Sequence, residues 1–166
     1  MSPSVRGTAS SATPFRVASR PAGAFHTPRV ASVRAMTPAT TPVLGFDYAL
    51  LRAVPRVDRG EQINVGALLY CPGADFLGAA IHLDADRLRA LDPAVDVDLV
   101  AAGLDTIRAV CAGEPAAGRA GSGTRGARFG WLTAPRSTVI QTSPVHGGRT
   151  TDPAAELTRL IGRLVH

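Results

Sequence analysis

No lysine occurs in this sequence, so arginine carries every fixed positive charge. That usage fits a high-GC coding bias as well as selection for bidentate anion recognition. Cysteine is scarce. Cys71 and Cys111 stand far apart, without a CxxC or a nearby His pair, so neither a zinc site nor a disulfide framework is indicated. No metal and no other cofactor is expected, and a reducing cytoplasm is the default location. No run of about 18 apolar residues exists, which argues against a membrane-spanning helix. GxxxxGK[ST], HExxH and GxSxG are absent, removing the usual phosphate-loop, zinc-protease and serine-hydrolase signatures.

Acidic residues are missing at the N-terminal end: five arginines and no Asp or Glu precede position 41. Residues 1–42 are rich in Ser, Thr, Pro, Ala and Arg without sustained periodicity, which predicts a disordered basic tail. Its composition resembles an organellar transit peptide but lacks the apolar core of a secretory signal. Met36 stands just before the region where order is expected, so a start at Met36 is the alternative reading. From position 41 onward, 13 Arg balance 13 Asp and Glu. The basic pI of about 10.5 therefore belongs to the tail, and neither a nucleic-acid nor a membrane partner is expected for the neutral body.

Residues 43–166 are expected to form a single α+β domain. Apolar and β-branched runs at 46–54, 63–70 and 76–83, separated by turn residues, predict a three-strand antiparallel meander. Asp84 can cap a short helix. Asp96 or Asp98 can cap a longer one that ends at Gly113. Residues 112–127 hold Gly, Ala, Ser and Arg with little to bury, predicting a flexible loop. Runs at 129–133 and 137–142 predict a later hairpin around Ala134-Pro135. Asp152-Pro153 followed by Leu157, Leu160, Ile161, Leu164 and Val165 predicts an amphipathic final helix. Strands grouped around helices, without βαβ alternation, predict a mostly antiparallel sheet with about three helices on one of its faces.

Residues 48–72 (YALLRAVPRVDRGEQINVGALLYCP), 87–93 (RLRALDP) and 128–146 (RFGWLTAPRSTVIQTSPVH) together resemble the bacterial Domain of Unknown Function 3037 family. The resemblance covers about residues 46–165 and leaves the N-terminal forty outside. It implies no established activity. Members encoded beside kinase-like proteins of the persistence-toxin type make a kinase-like protein partner an expectation. The Gly-, Ala-, Ser- and Arg-rich residues 116–127 depart from the family, which keeps some apolar residues there.

Polar chemistry concentrates in the third of these segments, which holds the single Trp. Trp131, Arg136, Ser137, Thr138, Ser143 and His146 are its candidate binding residues. Arg136, Ser137 and Thr138 could converge on a phosphate or carboxylate, or Arg136 could pair with an acid while the hydroxyls satisfy turn backbone. Arg59, Glu61 and Asn64, in and after a charged connection, form a second candidate group, with Gly66 permitting close backbone approach. Their alternative is a solvated loop with internal ion pairs. Cys71 with His146 as base is conceivable, against ordinary packing roles for both thiols. Two functions remain: a non-catalytic protein-interaction or regulatory module, or an enzyme or binding domain for a phosphorylated or carboxylated small molecule using Arg136, Ser137 and His146.

Overall fold

In the computed structural model, which describes residues 41–166, strand β1 (Leu44–Ala53) is internal to the sheet because it pairs along both edges. Antiparallel to it runs β2 (Ile63–Cys71), which in turn pairs with β3 (Phe76–Ile81), giving the expected meander. The other edge of β1 is shared by two short strands, β4 (Ile140–Thr142) and β5 (His146–Thr150). β4 pairs with residues 51–53 and β5 with residues 44–48, both antiparallel. The fold class is α+β, with a five-stranded antiparallel sheet and five α-helices among the described residues.

Both faces of the sheet are covered, a correction to the expectation of helices on one face. Alternation explains it. Leu51, Ala53, Leu68 and Tyr70 point to one face, where they meet α1 (Ala85–Leu91), α2 (Val97–Ala112) and α4 (Arg125–Thr133). Phe46, Ala67, Leu69 and Cys71 point to the other, where Leu157 and Leu160 of α5 (Pro153–Leu164) close over them. Strands apolar on both sides need two covers. A bulge sets Leu51 opposite Gly66 but Arg52 opposite Asn64, leaving Val65 unmatched and turned into the first cluster.

Helix starts follow the sequence signals. Asp84 accepts from the Asp86 and Arg87 N–H groups, Asp96 from Leu99, and Asp152 from Ala154 and Ala155. Gly113 ends α2 at φ 75°, a left-handed conformation that favours glycine. Arg128 then reaches across to the Cys111 carbonyl at 3.3 Å, placing a guanidinium at the negative end of α2.

Two expectations are corrected. Residues 129–133 are not a strand: they complete α4, capped by Thr124, with Phe129 and Leu132 buried. The later hairpin is therefore absent, and β4 and β5 both pair with β1 instead of with each other. Residues 112–127 hold a 3-10 turn (Pro115–Ala117), the short helix α3 (Gly118–Gly121) and the start of α4 where no regular structure was expected. Ala117 and Ala120 pack against the core there, since small side chains suffice when the backbone comes close. The expected disordered tail and the start at Met36 lie outside the described residues, save for positions 41 and 42.

Candidate functional site

α4 buries Phe129 and Leu132, and helical spacing turns Trp131 between them outward, 44% exposed. After Ala134-Pro135 the chain doubles back, bringing the Arg136 guanidinium over the Trp131 ring at 4.3 Å from its centroid. Arg136 also donates from Nη2 to the Trp131 carbonyl, so one short segment fixes both partners of a cation–π pair. Among the described residues no carboxylate lies within ion-pair distance of Arg136. Its charge is unneutralised.

Beside this pair opens a cleft of about 300 Å³. Its far wall is α2, where Leu99, Gly103 and Ile107 stand one turn apart, and its near wall is Thr138, Val139 and Ile140 approaching β4. The lining is mainly apolar, and Leu99 is 58% exposed at the rim. An exposed apolar cleft with a fixed cation on its edge suits an apolar group carrying a neighbouring negative charge.

The other candidates, Thr138 apart, are dispersed. Thr138 donates its hydroxyl to the Ile140 carbonyl at 2.6 Å, and Ser143 is buried in the β1 ladder, so both satisfy backbone. Ser137 is exposed beside Arg136. His146 begins β5, its ring 5.3 Å from that of Tyr48, and lines no part of the Trp131 cleft. Arg136 and His146 therefore do not converge there. Arg59 and Glu61 pair with each other at 2.7 Å on the exposed connection between β1 and β2. Asn64 donates to the Leu164 carbonyl at 2.9 Å, tying β2 to the end of α5. That connection and the cleft's near wall meet where Val54 N–H donates to the Val139 carbonyl at 2.8 Å.

Cys71 is buried and donates to the Gly45 carbonyl, and burial pushes the Cys111 thiol up to about 12. Neither thiol is placed as a nucleophile. Two features escaped the sequence reading. The α2 wall of the cleft comes from residues that periodicity marks only as helix. Residues 121–126, GSGTRG, match GxGxxG spacing and lead into α4, but a helix precedes them instead of a strand, and Arg128 donates to the Gly121 carbonyl within that run. Among the described residues no group of three or more His, Cys, Asp or Glu is placed to hold a metal ion, and no helix is long and apolar enough to cross a membrane.

No curated protein and no solved structure matches the chain. A family model does, over residues 48–165, the span that holds the whole sheet from Tyr48 onward, both helical covers and the Trp131 cleft. On that match the chain belongs to the family described as protein of unknown function (DUF3037).

Proposed function

We propose that the protein is a non-catalytic interaction module that grips a segment of a partner protein in the Trp131–Arg136 cleft. The bound segment supplies one large apolar side chain to the cleft between α2 and residues 138–140 and an adjacent carboxylate to Arg136. The observation that supports this reading is the exposed Trp131 ring, held under an unneutralised guanidinium at the mouth of an apolar cleft. Trp and Arg flanked by aliphatic side chains are the residues on which binding energy at interfaces concentrates. Charge complementarity at Arg136 selects acidic segments and raises the association rate. A kinase-like protein is the partner we assign to this surface, following the family resemblance.

Trp131 is the single tryptophan, so its emission reports on the cleft directly. Titration with a short peptide carrying Leu next to Asp should give a saturable blue shift. Replacing Asp by Lys in the peptide, or Arg136→Ala in the protein, should weaken binding by about tenfold, the usual scale for losing one charged contact at an interface. Unchanged emission with every peptide, or a shift produced only by small phosphorylated or carboxylated molecules, overturns the interaction reading.

A further inference from the structure

On the opposite face of the sheet, a second cleft of about 230 Å³ lies between β5 and α5. Glu156, Arg159 and Arg163 fall at i, i+3 and i+7 of α5, so helical geometry sets them along one flank, facing the edge strand. Arg149 of β5 lines the same cleft, as do the two glycines before it. Three arginines thus meet one carboxylate, a surplus of two positive charges. Asp47, opposite Gly147 in the ladder, does not line the cleft.

The one carboxylate orients one of the cations. Glu156 takes Arg159 in a fork, Nε to Oε2 at 2.8 Å and Nη2 to Oε1. That hydrogen bond holds the Glu156 carboxyl below the ordinary carboxylate range, and the charge of Arg163 adds to the effect. Arg149 and Arg163 have no carboxylate within ion-pair distance among the described residues. Gly148 has no Cβ where the Phe46 ring crosses it, and among the described residues β5 pairs only with β1, so the outer edge of β5 borders the cleft. Guanidinium groups with free N–H forks suit a tetrahedral oxyanion.

We propose that this cleft binds a small phosphate monoester, its phosphoryl dianion held by Arg149 and Arg163, the two lining guanidiniums that Glu156 does not neutralise. A dianion balances the surplus of two charges, whereas a monocarboxylate leaves one uncompensated. The cleft is smaller than the roughly 300 Å³ at which pockets for drug-sized ligands begin, so the group esterified to the phosphate is small. This site is independent of the Trp131 cleft, and either reading stands without the other.

The test is titration of the full chain with inorganic phosphate, glycerol 3-phosphate and acetate, followed by calorimetry and by the backbone amide resonances of residues 146–149. Saturable binding of glycerol 3-phosphate, shifts centred on Gly147 and Gly148, and much weaker binding of acetate are expected. Arg163→Ala should weaken binding by about tenfold, and Arg119→Ala, a surface arginine on α3, should not. Glu156→Gln frees Arg159 and removes a negative charge, so it should tighten binding, a gain that a misfolded variant cannot mimic. Acetate binding as tightly as the monoester, shifts confined to other residues, equal effects of the Arg163 and Arg119 substitutions, or saturation by inorganic phosphate alone would overturn the proposal. Absence of any saturable binding would do the same.

Discussion

Ser143 is the buried polar side chain of the described fold, and its surroundings explain why the outer strand is broken in two. Pro144 follows it and has no N–H to give the β1 ladder. Ser143 N–H donates to the Leu50 carbonyl at 2.9 Å, while Leu50 N–H donates at 2.9 Å to the Ser143 hydroxyl, which in turn donates to the Pro144 carbonyl at 2.8 Å. The hydroxyl stands in for a strand carbonyl. Ser143→Ala strands the Leu50 N–H and should cost about 1–3 kcal/mol in urea denaturation, while leaving Trp131 emission unchanged. Gly66, suggested by sequence as a place where a partner's backbone could come close, instead admits its own sheet: a Cβ there would stand 2.6 Å from the Ala80 carbonyl oxygen. Backbone cannot move aside as a side-chain tip can. Gly66→Ala should therefore destabilise the fold by about 1–3 kcal/mol, and a melting temperature equal to that of the parent would show that β3 shifts freely.

At the scale of elements, the cap residues tie stability to pH. Arg87 and Asp86 N–H groups donate to the Asp84 carboxylate at the start of α1, and the bond from Arg87 leads in lowering its pKa. A carboxyl lowered by folding stabilises the native state above its ordinary pKa, and that contribution is lost as pH falls through the lowered value. Asp84→Asn keeps an acceptor but no titrating group, so its melting temperature should fall less than the parent's between about pH 5 and pH 2. Parallel acid limbs in parent and variant would assign the acid sensitivity elsewhere. Capping is also what made α1, α2 and α5 legible in the sequence: each has an Asp followed by apolar residues at helical spacing. α4 was illegible for the opposite reasons. Its cap, Thr124, lies inside a Gly- and Ser-rich run, Gly126 and Gly130 dilute its helix propensity, and Phe129 and Trp131 alternate as in a strand. Packing decides it, with the Phe129 ring stacked on Tyr70 at 5.5 Å. The candidate site was legible to the same degree. Trp131 and Arg136 lie close in sequence and meet, whereas Leu99 and Ile107 join them only through tertiary contact. Arg159 and Arg163 read as the solvated face of an amphipathic helix until β5 is set beside them.

Across the described fold as a whole, one sheet supports two apolar clusters, and each holds one thiol. Cys111 belongs to the cluster under α2 and α4, Cys71 to the cluster under α5, so the sheet separates them and no disulfide can join them without unfolding. This arrangement makes the thiols reporters of how the two covers open. If the shared strands β1 and β2 couple both clusters into one cooperative unit, neither face can expose its cysteine without dismantling the other. Single-thiol variants Cys71→Ala and Cys111→Ala should then react with an aromatic disulfide reagent far more slowly than free cysteine, and at rates within about threefold of each other once corrected for intrinsic reactivity. Both rates should rise together with urea, with the slope of global unfolding. Faster labelling of Cys71 alone would mean that α5 lifts from the sheet by itself, which would open the floor of the arginine-lined cleft. Faster labelling of Cys111 alone would assign that freedom to α2, the far wall of the Trp131 cleft, and to α4, which carries Trp131, and would make the proposed partner docking a matter of closing a cover instead of filling a fixed groove.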